Sequence, residues 1–434
     1  MTDSLAPEPL AAPAAAANAP IGRNRQFRLL WTCMLVIGAG NSMLLSVAPP
    51  LVRQLHLGDS AVGFIFSLSA LLWVFASPYW GRLSDGIGRK PSIAFGLGAY
   101  AVSMTSFGIA TTLGLNGALT GSQLFITLVL ARAIFGAFGS ASSPSAQAYI
   151  ADRTSTLERT TQLAGLSSAF AVGQAFGPGI CAWIAAQTSL VFPIWLVAAL
   201  ALTASLSILF FLPERTAPQS ASRPKANFKQ SLALISDRRL SGYLICGLAL
   251  SVVAGISQQI YGLYTMDRLH VAGSHGTQLT AWGFMANALA LLATQLVILP
   301  RLSFGPRSLI IWGAALLAAG FAVQVIAPDL YFLMAAQALQ GFGGGLARSG
   351  FTGGASVAVE PHEQGAAAGL VVAINGAGFI FSPVLGGVAY EHLGQTAPLF
   401  IAIAIILAMF AFGLMSRRLR DSVVAQPAAE PEPT

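Results

Sequence analysis

Two arginines inside apolar stretches carry the most distinctive binding chemistry in this sequence. Arg132 and Arg348 each interrupt a run of hydrophobic and small residues. Burying such a charge is costly unless it gains a partner or serves a function. A guanidinium presents a planar fork of hydrogen-bond donors that matches carboxylate groups. Both side chains are therefore predicted to face water or a ligand, although Arg348 could instead extend along its helix to a polar surface.

Amide side chains recur beside the arginines at the spacing expected for one polar face of a helix. Arg132 shares such a face with Gly136 and Gln147, and Arg348 shares one with Gln340. Six further polar residues lie in apolar stretches: Asn41, Gln258, Gln259, Tyr261, Asn287 and Asn375. Together these residues predict one central, water-filled cavity for a small molecule. For each single amide the alternative is a hydrogen bond between helices, worth about 0.6 kcal/mol on average.

The composition indicates where the elements that hold these residues must fold. Hydrophobic residues make up 55% of the 434 positions and charged residues 9%, whereas an average soluble domain carries roughly 25% charge. A helix that crosses the bilayer core needs about 20 apolar residues. Twelve such spans are predicted, at residues 29–51, 61–80, 91–112, 123–150, 163–186, 190–212, 241–264, 278–300, 308–327, 330–358, 365–389 and 396–416. The expected fold is an all-α integral membrane protein.

Basic residues predict the orientation of the spans. Of the 23 Lys and Arg residues, 19 fall in the tails and in the loops on one side. Because Lys and Arg concentrate in cytoplasmic loops, both termini are expected to be cytoplasmic, in a multi-pass protein of the plasma (inner) membrane. The tails at residues 1–22 and 419–434 are rich in Ala and Pro and are predicted to be disordered. The basic residues form no continuous basic face, so no nucleic-acid partner is expected.

An internal repeat divides the chain into two halves. The predicted domains are a six-span bundle over residues 23–212, a Pro- and Ser-rich cytoplasmic linker over 213–239 and a second bundle over 240–418. Gly136, Gly139, Glu158, Gly173 and Pro178 each recur 205 residues later in the chain. Their counterparts are Gly341, Gly344, Glu363, Gly378 and Pro383. Parallel repeats of six spans build two-bundle transporters, so two pseudo-symmetric six-helix bundles are predicted.

A cluster of charges and glycines follows span 2, in the stretch WGRLSDGIGRKPS at residues 80–92. Gly81 and Gly88 permit a tight turn, and Asp85 can pair with a neighbouring base or a helix N-terminus. Arg89 and Lys90 supply the bases. The cluster is predicted to be a cytoplasmic latch between the halves. The alternative, a set of basic anchors that only fix the orientation, does not account for Asp85 or the glycines.

These motifs together resemble the major facilitator superfamily, and within it the twelve-span drug:proton antiporters. The loop signature GxLxDRxGRK is matched except that Gly86 replaces the usual Arg, and the span 4 signature is matched by Arg132, Gly136 and Gly139. The span 5 antiporter signature GxxxGPxxG is matched by three residues, without its trailing glycine: Gly173, Gly177 and Pro178. The resemblance implies that spans 2, 5, 8 and 11 form the seam between the halves.

The resemblance also implies a function: secondary active transport by alternating access, with proton-coupled efflux of a small amphipathic compound as the leading expectation. Many such antiporters hold an acidic residue inside the bundle, whereas here all 16 acidic residues fall in tails, loops or span ends. Asp152 and Asp267 are the nearest candidates for the proton carrier. The alternatives are uptake or exchange of an anionic metabolite, or a transporter-like receptor or lipid-handling protein without coupled transport.

Enzymatic function is not expected from this sequence. No paired nucleophile and base, metal-ligand cluster or phosphate-binding loop is recognisable in it. Cys33, Cys181 and Cys246 lie in apolar runs without metal-ligand spacing, as is typical of small buried hydrophobic residues. No metal and no cofactor are therefore expected, and the partners are the lipid bilayer and a small-molecule substrate of a monomeric protein.

Overall fold

Twelve helical spans build the part of the protein that the structure describes. The computed structural model describes residues 20–154, 156–214, 234–302, 304–360, 363–416 and 419. In chain order the spans cover Pro20–Gln54, Ser60–Ile87, Arg89–Leu115, Gly121–Ala151, Thr156–Gln187, Phe192–Phe211, Arg238–Arg268, Gly273–Arg301, Pro306–Ile326, Leu330–Val357, Gln364–Leu393 and Ala397–Met415. They are called span 1 to span 12 below. The described residues thus form the all-α architecture that the composition predicts.

Eleven of the described helices are long and apolar enough to cross a membrane. The remaining span, Leu330–Val357, has 28 residues, which is ample length. It is rich in glycine and contains Gln337, Gln340 and Arg348, so its mean hydropathy is lower than that of its neighbours. Polar residues therefore accumulate in the one span whose composition is least suited to lipid, which indicates that it lines an aqueous space.

The ends of the halves differ in part from the predicted domain limits. Span 1 begins at Pro20, inside the predicted disordered tail, and proline is favourable at the first helical position because its missing N–H would have no partner there. Span 7 begins at Arg238, and the Asp237 side chain caps it by accepting from the Arg239 backbone N–H. The rest of the predicted tails, apart from Leu419, and residues 215–233 of the predicted linker lie outside the described residues.

Each half has its own hydrophobic core. One cluster of buried residues runs from Leu30 to Leu212, and a second runs from Leu234 to Leu419. The packing is equivalent in the two halves, since span 1 packs on span 5 as span 7 packs on span 11, and span 2 on span 4 as span 8 on span 10. Between the halves, span 2 packs on span 11 and span 5 on span 8. The structure therefore forms two pseudo-symmetric six-helix bundles.

Two spans that line the centre are not regular α-helices throughout. Span 4 is broken by a 3-10 turn at Gly139–Ala141, where glycine, serine and Pro144 weaken the helical hydrogen bonding. Span 8 widens into a π-helical turn at Thr294–Ile298, just before Pro300, which has no backbone N–H to donate. π-turns are frequent at functional sites, and Gln295 of this turn faces the cavity described below.

Two of the three glycine pairs of the internal repeat, Gly136/Gly341 and Gly173/Gly378, make equivalent close contacts in the two halves. A methyl group on Gly136 would lie 2.3 Å from the Ser69 carbonyl oxygen, and one on Gly341 would lie 2.4 Å from the Asn287 carbonyl oxygen. These contacts join spans 4 and 2 in the first half and spans 10 and 8 in the second. The sequence repeat therefore preserves positions at which two helix backbones touch.

The predicted role of span 5 glycines in the seam between the halves is wrong. Gly173 and Gly177 face span 1 of the same half, where a methyl group would lie 2.3 Å from the Leu35 carbonyl oxygen and 2.5 Å from that of Ala39. Gly179, two residues further on, faces span 8 instead. Each residue turns a helix by about 100°, so the signature glycines and the seam lie on different faces.

Substituting a contact glycine should destabilise the protein. Gly173→Ala and its counterpart Gly378→Ala, whose new methyl group would lie 2.3 Å from Ser251 Cβ, are expected to cost about 1–3 kcal/mol through overpacking. Thermal unfolding in detergent should show a Tm several degrees lower. Gly353→Ala is the matched control, because no atom lies within 4 Å of the position of its methyl group. An unchanged Tm for both test variants would contradict the assigned contacts.

Candidate substrate cavity

Two adjoining cavities lie at the centre, between the halves. The larger has a volume of about 450 Å³ and is lined by spans 1, 2, 4 and 5 of the first half and spans 7, 10 and 11 of the second. The smaller, of about 170 Å³, lies between span 5 and spans 7 to 10. Ala171, Gln174, Gln258 and Arg348 line both cavities. The two spaces therefore form one site to which both halves contribute.

Arg132 lies at the wall of the large cavity and is 1% exposed. One of its nitrogens, Nη2, donates to the Asn41 side-chain oxygen, which also lines the cavity. The guanidinium carbon lies 4.4 Å from the centre of the Phe135 ring and 5.5 Å from that of Phe66. Its Nε and Nη1 groups have no hydrogen-bond partner within the described structure. This cation therefore keeps two unused donors in a low-dielectric setting.

Arg348 occupies the other half of the site and differs from Arg132 in its exposure. Its side chain is exposed to the cavities, although span 10 lies inside the protein. No ion pair joins it to a described residue. The alternative of a side chain that extends to the headgroups does not match this position on the cavity wall. Its guanidinium is instead directed at the space in which a small molecule would sit.

Most of the predicted amides also lie on the wall. Gln147 and Asn375 line the large cavity, Asn287 and Gln340 the small one, and Gln258 both. Several make hydrogen bonds between helices as well: the Asn287 amide nitrogen donates to the Gln337 carbonyl oxygen at 3.0 Å, and the Gln340 amide nitrogen to Gln324 Oε1 at 2.7 Å. Asn287 and Gln340 therefore do both: they line the cavity and form hydrogen bonds between helices.

Gln259 and Tyr261 are predicted cavity residues that the structure does not bring to either wall. Both are 0% exposed. Gln259 follows Gln258 directly, so the helix turns its side chain about 100° away from the cavity. The Tyr261 ring packs edge-on against Phe284 of span 8, with ring centres 5.1 Å apart. Periodicity alone could not decide which of three neighbouring polar residues faces the cavity.

Aromatic side chains, which the pattern of polar residues in the sequence does not mark, form much of the wall of the large cavity. The rings on its wall are those of Phe66, Trp73, Phe135, Phe170 and Phe379. No carboxylate stands among the described residues that line either cavity. The wall is therefore apolar and aromatic, with amide groups and two positive charges, a combination suited to an amphipathic molecule.

Ion pairs close the site on the side of the membrane opposite the chain termini, called the far side below. Arg53, at the end of span 1, pairs with Asp59 in its own half, with Nη2 to Oδ2 at 2.8 Å. It also pairs across the halves with Asp267 of span 7, with Nη1 to Oδ1 at 2.6 Å and Nη2 to Oδ2 at 2.9 Å. The Tyr390 hydroxyl of span 11 donates to Asp267 Oδ2 at 2.5 Å. Asp267, a predicted coupling residue, thus joins the two halves.

Further contacts between the halves lie beside this ion pair. The Ser60 backbone N–H donates to Glu391 Oε2 at 2.8 Å. A methyl group on Gly63 would lie 2.4 Å from the Pro383 carbonyl oxygen, so the backbones of spans 2 and 11 touch. We call the set Arg53, Asp59, Ser60, Asp267, Tyr390 and Glu391 the far-side closure. Two sequence signals pointed to this set: Arg53 falls outside the pattern of cytoplasmic bases, and Asp267 is one of the predicted coupling residues.

The charged cluster after span 2 is organised around Arg89, which is 6% exposed. Its guanidinium donates to Asp85, to Ser84 and to Asp152 of span 4, the last at 3.2 Å. Gly88 supplies the turn with a φ of +102°. The Arg89 contacts join spans 2, 3 and 4 within one half, and the Lys90 backbone N–H likewise donates to Glu214 of that half, at 3.1 Å. A latch between the halves stays a prediction for another conformation.

Asp85→Asn is expected to slow transport several-fold without loss of folded protein. The substitution keeps the shape of the side chain but removes one of two carboxylates that neutralise the buried Arg89 guanidinium. Transport should be measured at matched expression. Arg82→Gln is the control, since Arg82 is exposed and donates within its own helix to the Pro78 carbonyl oxygen. Transport at the wild-type rate in Asp85→Asn would reduce the cluster to an anchor for orientation.

Two six-span bundles around a central cavity that both halves line, with ion pairs between the halves at one end, define a membrane transporter of the two-bundle class. The family model described as "Major Facilitator Superfamily" matches residues 30–303 and 269–434. The chain belongs to the major facilitator superfamily. This membership confirms the expected family and the expectation that the protein is a transporter and not an enzyme.

Two bacterial resistance proteins are similar to this chain over nearly its whole length, and a solved transporter structure shares its fold. Multidrug resistance protein 1 of Bacillus subtilis (strain 168) is 26% identical over 397 residues, which cover 89% of this chain and 96% of that protein. Quinolone resistance protein NorA of Staphylococcus aureus (strain COL) is 24% identical over 406 residues, covering 93% and 99%. The solved structure of a bacterial homologue of the human lysosomal transporter Spinster, inward-facing and occupied, matches with a TM-score of 0.73 at 12% identity, covering 94% and 100%.

Proposed function

We propose that this protein exports a small amphipathic compound by alternating access, in exchange for protons. The observation that carries the proposal is a cavity lined by both halves and closed on the far side by an ion pair between them. Opening that closure while the opposite side closes would move a bound molecule across the membrane. The aromatic wall and amide groups suit an amphipathic molecule, and the similarity to multidrug and quinolone resistance proteins supports efflux.

The orientation follows from the distribution of Lys and Arg. With both termini in the cytoplasm, the far side is extracellular and the closed Arg53–Asp267 pair corresponds to an inward-facing state. Tags inserted at residues 220 and 425 should be accessible only from the cytoplasm, and a tag beside His275 only from outside. The measurement is protease or antibody access in intact cells against everted vesicles. Cytoplasmic access at His275 would contradict the orientation.

Asp267 is the favoured coupling residue. Asp152 holds the Arg89 guanidinium at the other end of the first half, away from the contacts between the halves. Asp267 instead accepts from Arg53 across the halves and from Tyr390, and His270 lies near enough to interact with it electrostatically. Protonation of its carboxylate from the acidic exterior would release Arg53 and favour opening of the far-side closure. This places coupling at the gate and not inside the cavity.

Exchange of an anionic metabolite is the second candidate function, favoured by two arginines without carboxylate partners on the described cavity wall.

Transport into everted vesicles distinguishes efflux from exchange. An imposed proton gradient with an acidic interior should drive accumulation of labelled amphipathic compounds, and a protonophore should abolish it. Accumulation that needs a preloaded internal anion and ignores the gradient would favour exchange. Uptake confined to right-side-out vesicles would contradict efflux.

A further inference from the structure

The central site holds positive charge that the described protein does not neutralise. Arg132 and Arg348 both line the large cavity, and the described residues on its wall include no Asp or Glu. Two Arg132 nitrogens have no hydrogen-bond partner within the described structure. Each arginine inside a span is costly to insert unless its charge is compensated. A neutral ligand could accept hydrogen bonds from a guanidinium, but only a bound anion would also balance the positive charge.

The two charges come from different halves and lie at different depths. Arg132 belongs to span 4 and Arg348 to span 10, which are equivalent in the internal repeat. At a rise of about 1.5 Å per residue, Arg132 lies about 16 Å from the far-side end of its span and Arg348 about 27 Å from the same end of span 10. Arg348 is therefore nearer the side of the chain termini, and its side chain is exposed to the cavity, whereas Arg132 lies farther from that side and is buried.

The remaining wall defines the other part of the ligand. Phe66, Trp73, Phe135, Phe170 and Phe379 present rings to the same space as the arginines. Its volume, about 450 Å³, lies within the range of roughly 300–1,000 Å³ that holds small organic ligands. A ligand that satisfies both surfaces must combine an anionic group with an aromatic or aliphatic body.

We infer that the compound carried by this cavity is an amphipathic organic anion, with a carboxylate or similar planar anionic group held by Arg348 and Arg132. The inference rests on the proposed function only in taking the cavity as the transport site. Asn41 accepts from Arg132 Nη2 and holds the guanidinium in the cavity wall, where Nε and Nη1 are buried without a hydrogen-bond partner in the described structure, so the anion would reach them through a small shift of the Arg132 side chain. The apolar body lies against the aromatic wall.

The placement of the charges also links binding to movement. Like charges from opposite halves repel each other in a low-dielectric cavity. An anion bound by both arginines removes this repulsion, so binding favours the approach of spans 4 and 10 that alternating access requires on the side of the chain termini. A cation of the same shape would be repelled by both arginines. The site therefore excludes cationic ligands as well as selecting anionic ones.

The test uses the full-length protein in detergent and three probes that share one ring system: 2-naphthylacetate, 2-naphthylacetamide and 2-naphthylethylamine. Equilibrium binding should favour the anion over the amide, with the amine weakest. Arg348→Gln should weaken 2-naphthylacetate binding about ten- to a hundredfold, the range of a hydrogen bond to a charged group, and should leave the amide unchanged. Arg301→Gln is the matched control, because Arg301 carries the same charge, lies outside the cavities and donates to the Val297 carbonyl oxygen.

The binding and transport results together test the anion site and the proposed efflux separately. Equal binding of the three probes, no binding of 2-naphthylacetate, or an unchanged affinity in Arg348→Gln would overturn the anion assignment. Charge-selective binding that Arg348→Gln removes and Arg301→Gln keeps would support it. Selective binding without proton-driven transport of the same probe in vesicles would uphold the anion site and refute the proposed efflux.

Discussion

Arg132→Ala is expected to abolish transport while leaving membrane insertion and expression unchanged. The guanidinium is the buried cation of the cavity wall, over the Phe135 ring, near the Phe66 ring and hydrogen-bonded to Asn41. Its removal eliminates an insertion cost of about 2.5–3.5 kcal/mol, so the protein should insert at least as well as the wild type. The cavity would lose its deeper charge and its fork of donors together.

Arg132→Lys separates these two contributions. Lysine keeps the charge but loses the planar fork and the stacking on Phe135. A site that uses paired hydrogen bonds should lose most of its transport in this variant, whereas one that uses only the electrostatic field should retain much of it. Transport at matched expression is the measurement, with Arg301→Ala as the control for loss of an arginine outside the cavity. Full activity in Arg132→Ala would show that Arg132 is structural.

Asp267→Asn should open the far-side closure and uncouple transport from the proton gradient. The amide cannot balance the Arg53 charge, so the pair that joins the halves loses its charge-assisted hydrogen bonds, worth about 1.5–3 kcal/mol. The equilibrium should shift about tenfold or more toward the outward-open state. Labelling of a cysteine placed on the cavity wall by a membrane-impermeant reagent added from outside should quicken by a similar factor.

Asp59→Asn provides the comparison for this prediction. Asp59 also pairs with Arg53, at 2.8 Å, but both residues belong to the first half. Its loss should weaken the local structure between spans 1 and 2 without separating the halves, so outside labelling should change much less than in Asp267→Asn. Equal effects of the two substitutions would argue against a gate at the Arg53–Asp267 pair.

The overall architecture could be predicted because hydrophobic length and repeat spacing are local properties of the sequence. Runs of apolar residues gave the twelve spans, and the 205-residue repeat gave two equivalent halves. The repeat also marked Gly136 and Gly341, where the structure shows matching backbone contacts. The break in span 4 and the π-turn in span 8 escaped prediction, since they depend on hydrogen bonding that hydropathy does not register.

The site could be predicted only in part, because a polar residue in a span does not reveal which neighbour it faces. Arg132 and Arg348 were recognisable by the cost of their charge, and the structure places both on the cavity wall. Gln259 and Tyr261 satisfied the same criterion yet pack away from the cavity. Arg53 and Asp267 lie far apart in sequence and at span ends, so their pairing arises only from the tertiary fold.

Alternating access of the two halves is most directly tested by measuring two distances between them in one protein. In a background with Cys33, Cys181 and Cys246 replaced by alanine, spin labels would be placed in one sample at the exposed residues Asn116 and Gln395 on the far side. A second sample would carry them at Ile87 and Phe304 on the side of the termini. Pulsed electron spin resonance would be recorded in lipid discs at neutral and acidic pH and with Asp267→Asn.

We predict that acidification or Asp267→Asn lengthens the Asn116–Gln395 distance and shortens the Ile87–Phe304 distance. Opposite changes on the two sides are required if the halves rock about the central cavity. Distances that stay fixed, or that change in the same direction under conditions in which transport proceeds, would contradict alternating access in this protein.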